Sequence, residues 1–449
     1  MKRFALFLLT IFAISGGVEL IAQSGMRFPE LSKKLEAYYA DELIQDIKAV
    51  MPQTDNYQIW GWDVGDFSGD GFNDLAISVK MLNDKRKIVQ VYLFTDSDGF
   101  LSLVGQFPYE YFELPLEIGV SIKDNTCFVT KKREQFNWFI KGYRYENGAL
   151  VLLDNFHTER SDNFTIEKYN NYQNCETYER YINTKNNSKV FEADYLTIPS
   201  YSRGRVVYKG FCGETFVNNP NYVFDGAFFH YSPDDASFTV KSNYDAENLY
   251  FTVKVIDDEV VPTRCDSCIG DNIEFWFDFY PLTTEKDRIV KDLKSPKSMQ
   301  VRNEADTGIY SIRISPGDFI DKPAFVRGIK TTDEADEDQK FAVNKIKAVS
   351  TLNSQGYVIK VKIPFDVFNL DLKPETEDMP TKIGFSIVVN DVDNEFRSEE
   401  TSRIATSKFS PNNPSSFGEL ILLPDGKWYG ESLNTYHDDI IKILNEAGF

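Results

Sequence analysis

The densest run of residues able to do chemistry is Asp66-Phe67-Ser68-Gly69-Asp70-Gly71-Phe72-Asn73-Asp74. Oxygen-bearing side chains alternate at Asp66, Ser68 and Asp70, Gly71 allows a sharp turn, the Phe72 carbonyl can point inward, and Asp74 closes the set. An all-oxygen shell suits a hard divalent cation, so calcium is the expected cofactor, in a stabilising rather than catalytic role. An ordinary Asp/Gly-rich hairpin is the competing reading. Asp96-Ser97-Asp98-Gly99 starts similarly but lacks a later closing carboxylate and reads as a plain turn.

A second set lies on a strand pattern. Ile273, Phe275, Phe277 and Phe279 alternate; if they face a core, Glu274, Trp276, Asp278 and Tyr280 share the opposite face. A flat ring covers the C–H face of a pyranose while carboxylates accept its hydroxyl hydrogen bonds, so this face is a candidate sugar surface. The alternative is that a helix, a loop or the first domain covers it. Asn390-Asp391-Val392-Asp393-Asn394-Glu395-Phe396-Arg397 follows another strand, with Asn390, Asp393 and Arg397 as candidate ligand contacts. That segment could bind a ligand, coordinate calcium or simply turn, and Asp257, Asp258 and Asp271 pose the same choice.

Composition narrows the field. Among 449 residues, 49 Lys and Arg stand against 69 Asp and Glu, a net charge of -20, which argues against nucleic acid and anionic membranes as partners. Only three His limit imidazole catalysis and zinc sites, leaving chemistry to carboxylates. No Gly-x-Ser-x-Gly elbow, phosphate loop or His-Glu-x-x-His helix occurs. A carboxylate pair for glycoside hydrolysis is defined by a distance that sequence does not supply, and hydrolysis is the minority reading.

Met1-Lys2-Arg3 followed by Phe4–Ile14 reads as a secretory signal ending near Ala22, and no later segment is apolar enough to span a bilayer. The expected location is therefore secreted, periplasmic or cell-surface. Five Cys leave at least one thiol unpaired within a monomer, and the Cys265/Cys268 pair is expected to form a local loop disulfide.

Around these residues the sequence predicts a mainly β chain. Leu35, Tyr39, Leu43, Ile47 and Val50 recur at helical spacing before Pro52, predicting one helix over residues 31–51. Short β-prone runs follow at Asp74–Val79, Ile88–Phe94, Cys127–Thr130, Phe136–Tyr145 and Leu150–Leu153, with Asn147-Gly148 a hairpin signal. Leu249/Phe251/Val253/Val255, Ile273/Phe275/Phe277/Phe279, Tyr357/Ile359/Val361/Ile363 and Ile383/Phe385/Ile387/Val389 predict four half-buried strands of an antiparallel sandwich. The expected layout is a signal at 1–22, a β-rich domain at 31–157, a polar bridge at 158–190, a sandwich at 191–430 and a tail helix at 431–449. The run Asp333–Asp338 reads as a solvated loop.

Two resemblances attach to these residues. Asp66–Asp74, leading into a strand, resembles the calcium loop of FG-GAP or VCBS-type β repeats and covers about one repeat. The full EF-hand is excluded because Ile77 stands where its bidentate Glu belongs. Phe224-Asp225-Gly226, Tyr244–Asp258, Gly270–Asp278, Tyr357–Pro364, Ile383–Asp393 and Phe417–Leu420 together resemble family 9 carbohydrate-binding modules across most of 192–423. That resemblance implies an exported sugar-binding β-sandwich with calcium in its loops, often attached to glycan-degrading enzymes. The late Trp of sugar-gripping members is missing, its place taken by Thr406-Ser407-Lys408-Phe409. The reading is a non-catalytic, calcium-stabilised polysaccharide- or oligosaccharide-binding protein. The alternatives are an envelope or adhesion protein with a protein partner, and a glycosidase.

Overall fold

A computed structural model describes residues 26–53, 56–82, 88–110, 116–133, 137–160, 164–203, 212–265, 267–279, 309–331, 343–368, 381–397, 399–411 and 413–423. The signal at 1–22, Tyr280, the acidic run Asp333–Asp338 and the tail at 431–449 lie outside the described residues. The chain is mainly β and divides into two units, Met1–Arg160 and Ser161–Phe449. Among the described residues no helix is long and apolar enough to cross a membrane.

Among the described residues of the first unit, two short helices stand where a single one was expected, α1 (Phe28–Leu35) and α2 (Asp41–Val50). Pro29 starts α1, Lys33 and Lys34 stand in its last turn, and Asp41 and Glu42 open α2, each charge placed favourably on its helix dipole. Between them Tyr39 is buried and its hydroxyl donates to the Asn73 carbonyl at 2.8 Å, so a tertiary anchor sits where the spacing suggested an unbroken helix. Strands β1 (Tyr57–Gly65), β2 (Asp74–Met81), β3 (Ile88–Asp96) and β4 (Leu101–Glu110) form an antiparallel sheet in sequential order. Leu31, Leu35, Ile44 and Ile47 pack with Ile59, Leu75, Ile77 and Val79 to make one core. A meander follows, β5 (Leu116–Lys123), β6 (Thr126–Arg133), β7 (Asn137–Glu146) and β8 (Ala149–Arg160). The Asn147-Gly148 turn has both φ values positive, as its sequence predicts.

In the second unit, β9 (Phe164–Asn171) and β10 (Glu176–Asn183) pair antiparallel and continue into β11 (Lys189–Ser202). The polar stretch read as a bridge is thus strand. β12 (Thr215–Val217) and β13 (Val223–Asp225) are short pieces before the sandwich proper. One layer is built from β14 (Ala236–Tyr244), β15 (Asn248–Asp257), β19 (Lys347–Asn353) and β20 (Gly356–Pro364), in the order β14-β15-β20-β19. The other holds β16 (Asn272–Asp278), β17 (Ile309–Ser315), β18 (Phe325–Thr331), β21 (Thr381–Val392), β22 (Thr401–Ala405) and β23 (Gly418–Leu423), with β16 between β17 and β21. β11 pairs in parallel with β14 and β23, so it belongs to both layers. All four alternating sets read from sequence point into one core, where Phe251 stacks on Phe385 at 5.3 Å and Phe277 meets Phe385 at 4.8 Å.

Cys175 and Cys212 form a disulfide, Cys265 and Cys268 form the expected loop disulfide, and Cys127 is a buried free thiol. The first bridge closes a loop with a sequence separation of 37. The chain-entropy relation puts its stabilisation at about 4 kcal/mol. A Cys212→Ser chain is expected to unfold at clearly lower urea than the parent; equal midpoints would show that the bridge constrains nothing.

Candidate functional site

Alternation on β16 sends Ile273, Phe275 and Phe277 into the core and leaves Glu274 and Trp276 on the outer face. The register sets Glu274 opposite Arg313 on β17 and Val388 on β21, and Asn272 opposite Asn390. Glu274 becomes the hub of a polar array. Its Oε2 accepts from Trp276 Nε1 at 2.8 Å, and its Oε1 accepts from Arg313 Nε at 2.9 Å, from Arg313 Nη2 and from Asn390 Nδ2 at 3.4 Å. Asn390 Nδ2 also donates to Asn272 Oδ1 at 2.9 Å, while Asn390 Oδ1 is buried with no hydrogen-bond partner. The Glu274 side chain is 8% exposed and the Arg313 side chain 42%, so the guanidinium carries the array to solvent.

Trp276 is half-buried rather than open. Phe409 and Phe417 pack on its ring at 5.3 and 6.2 Å, in a small apolar cluster with Ile309, Val388 and Ala405. The segment where the family's late Trp is missing therefore does cover part of this face. Asp278 is buried at the far end of β16 beside Gly384, where an added Cβ would stand 2.9 Å from Asp278 Cβ. Arg397 is exposed and pairs with Glu400 at 2.6 Å, and Asp393 joins a separate acidic group. Of the sugar-face candidates the structure gathers Glu274, Trp276 and Asn390, and adds Arg313. Arg313 is open to the same reasoning from sequence, because Ile312 and Ile314 alternate around it.

A second feature lies at the strand ends. Asp257, Asp271 and Asp391 are all buried, each with an oxygen within 4.8 Å of the others. Asp271 is fixed by the N–H groups of Val392 at 3.0 Å and Val261 at 2.8 Å. Asp257 accepts from the Glu259 N–H at 2.9 Å and Asp391 from Ser402 Oγ at 3.1 Å, yet Asp257 Oδ2 and Asp391 Oδ1 have no hydrogen-bond partner. The fully buried Tyr357 hydroxyl, on β20 opposite Val255, is also without one. Burial, then repulsion from Asp257, pushes the Asp391 carboxyl up to about 8; burial pushes Asp257 up to about 6; burial with its two neighbours drives Asp271 well above the usual carboxylate range. Like charges this close repel by roughly 3 kcal/mol per pair at an effective dielectric of about 20, so the triad takes up either protons or a cation. Its all-oxygen donors and orphaned oxygens fit a calcium ion.

Among the described residues one other carboxylate cluster is as tight: Asp235, Asp258 and Asp393, also within 4.8 Å of one another. Burial, then Asp235 and Asp258, pushes Asp393 up to about 6. The sequence singles out Asp257, Asp258, Asp271 and Asp393 one by one; they converge because the end of β15 in one layer and the paired ends of β16 and β21 in the other meet at the same edge of the sandwich.

The Asp66–Asp74 loop wraps by hydrogen bonding to its own backbone. Asp66 accepts from Gly69 N at 2.6 Å, Gly71 N at 2.9 Å and Ser68 Oγ at 3.2 Å, with Gly69 and Gly71 at φ +78 and +89. Asp70 accepts from the Phe72 N–H at 2.9 Å. The buried Asp74 accepts from Phe67, Ser68 and Asp96 N–H groups at 2.7, 2.8 and 3.0 Å, and burial still pushes it up to about 6. Replacing Asp74 by Ala strands all three N–H groups, an expected loss of about 3 kcal/mol in urea unfolding. A loss under about 1 kcal/mol would mean that they find other partners.

The fold and site describe a β-sandwich with an outer-face polar array and acidic strand ends. Residues 320–424 match the family model described as carbohydrate family 9 binding domain-like. Similar solved structures include a carbohydrate binding module family 9 from Caldicellulosiruptor kristjanssonii in complex with glucose, at 18% identity over 52% of this chain and 98% of that one, TM-score 0.31. The same source appears in complex with cellotriose, at 17% identity, 51% and 95% coverage and TM-score 0.30. A putative carbohydrate-binding protein from Bacteroides uniformis is 10% identical, with 50% and 98% coverage and TM-score 0.30. A search of curated proteins finds no match. Structural likeness this distant does not itself specify function.

Proposed function

We propose that the second unit is a non-catalytic glycan-binding module of an exported protein, and that calcium supports its architecture. The observation that carries the binding reading is Glu274, held at one geometry by Trp276, Arg313 and Asn390 on the face opposite the core. A carboxylate and a guanidinium in fixed orientation beside an indole meet the needs of a sugar: oriented acceptors and donors for hydroxyls, and an apolar edge for C–H groups. The family match over 320–424 supports the same class of ligand.

For calcium, Asp257, Asp271 and Asp391 would hold an ion at the end of the sandwich, and Asp66, Ser68, Asp70, the Phe72 carbonyl and Asp74 would hold one in the first unit. Two disulfides fit an oxidising compartment, in keeping with the signal-like start of the sequence. The test is a panel of soluble and immobilised plant, algal and microbial polysaccharides, with calcium, using the full chain. Retention on at least one glycan, weakened by Arg313→Ala, is expected. Silence across the panel would overturn the reading.

A further inference from the structure

We propose that the outer face of the β14-β15-β20-β19 layer binds an acidic polysaccharide, one whose sugars carry carboxylate or sulfate groups. The inward residues of these strands pack into the core, so alternation sends Lys241, Lys254, Lys347, Lys360 and Lys362 to the opposite face. Register gathers them. Lys347 stands directly opposite Lys362, and Lys360 lies two residues along the same strand. Thr252 separates Lys241 from Lys360 in one row, while Lys254 is diagonal to Lys360. Neighbouring strands are about 4.8 Å apart and same-face residues about 6.8 Å apart, so the five ammonium groups share one field. The face is open: Lys241, Lys347, Lys360 and Lys362 are exposed, as is Val349 opposite Lys360, at 60%. Arg203 adds a sixth cation, its guanidinium 4.5 Å over the ring of outward-facing Tyr250.

Charge complementarity selects the ligand. The chain has 69 Asp and Glu against 49 Lys and Arg, yet no Asp or Glu takes an outward position on these four strands. Like charges directly opposite each other destabilise a sheet, so the Lys347/Lys362 pair carries a cost that an acidic neighbour would relieve. The local contacts are neutral instead: Lys254 Nζ donates to Gln355 Oε1 at 3.3 Å and Lys347 Nζ to the Asn344 carbonyl at 2.9 Å. Lys360 and Lys362 meet no carboxylate among the described residues. The acids that do approach stand outside the four strands, Glu214 3.0 Å from Lys241 and Asp245 2.6 Å from the Tyr250 hydroxyl. An anionic ligand supplies the missing counter-charge. Four strands span about 14 Å, a strip that suits a single polysaccharide chain, while the net charge of -20 disfavours nucleic acid and anionic membranes. This face belongs to the layer that does not carry Glu274, so the inference goes beyond the Glu274 reading and does not depend on it.

The test is retention of the full chain on immobilised polygalacturonate, alginate and a sulfated galactan, with unsulfated galactan and DNA for comparison, against rising sodium chloride. The chains are the parent, a triple variant combining Lys347→Gln, Lys360→Gln and Lys362→Gln, and Arg313→Ala. The parent is expected to be retained on at least one acidic polysaccharide and released by salt, and the triple variant to bind it roughly tenfold more weakly. Retention on the uronates alone or on the sulfated polymer alone supports the proposal and identifies the anionic group. All three lysines are exposed, so the triple variant keeps the fold, which its melting temperature checks. No retention on any acidic polysaccharide, retention unchanged in the triple variant, or equal retention on DNA would overturn the proposal. The response of Arg313→Ala on neutral glycans reports separately on the Glu274 reading.

Discussion

Calcium is expected to raise the melting temperature of the chelator-stripped chain strongly near pH 8 and much less near pH 5. Without a cation, the Asp257/Asp271/Asp391 triad holds carboxyls whose folded pKa values lie above their unfolded ones, at about 6 for Asp257 and about 8 for Asp391. A raised carboxyl means that the folded state binds protons more readily than the unfolded one. The metal-free protein therefore loses stability as pH rises from about 4, the unfolded carboxyl range, through about 8. The loss is on the order of a few kcal/mol, since each tenfold gain in proton affinity on folding is worth about 1.4 kcal/mol. Calcium requires ionised oxygens, so it competes with protons and gives most where the bare triad is weakest. Asp391→Asn is expected to flatten the pH dependence of the metal-free chain and to remove most of the calcium response. Equal melting temperatures with and without calcium at the higher pH, together with a neutral Asp391→Asn, would sink the calcium reading of the triad.

The second large effect is on ligand binding. Replacing Glu274 by Ala removes the acceptor shared by Trp276 Nε1, Arg313 and Asn390. The Arg313 guanidinium loses its fixed orientation, and buried donors that Glu274 satisfied must find water. Losing the carboxylate and the orientation it gives Arg313 removes charge-assisted hydrogen bonding worth about 1.5–3 kcal/mol, so glycan affinity should fall by roughly tenfold or more. Because Glu274 is nearly buried, the substitution also lowers stability, and Arg313→Ala serves as the comparison that removes a half-exposed side chain. Loss of binding in both variants, with Arg313→Ala melting near the parent, is the expected pattern. Parent-like affinity in a folded Glu274→Ala chain would place the sugar elsewhere.

Much of the sandwich was legible because its core strands are buried on one face. Leu249 to Val255, Ile273 to Phe279, Tyr357 to Ile363 and Ile383 to Val389 alternate cleanly, and every inward residue they predict lies in one core. β9 and β10 were illegible for the complementary reason: β10 is half-buried along most of its length, and its Tyr, Glu and Arg residues carry no two-residue hydrophobic period. The helix break at Tyr39 depends on a contact with Asn73, 34 residues away, which spacing does not encode. The same limit applied to the sites. Glu274 and Trp276 could be placed on a shared face from one strand, and Asn390 at a strand end, but the contacts joining them come from cross-strand register. The acidic clusters join aspartates separated by more than a hundred residues, whereas the one motif compact enough to recognise, Asp66–Asp74, is a loop closed largely by its own backbone.

The central claim, that a glycan seats beside Trp276 and Glu274, is tested most directly by following the indole N–H resonances of the calcium-loaded chain while a retained oligosaccharide is titrated in. The Trp276 indole donates to Glu274, so ligand contact with that carboxylate must perturb it. A saturating shift at Trp276, with Trp60 and Trp62 of the first unit unmoved, is the predicted result. Saturation with no change at Trp276 would contradict the account.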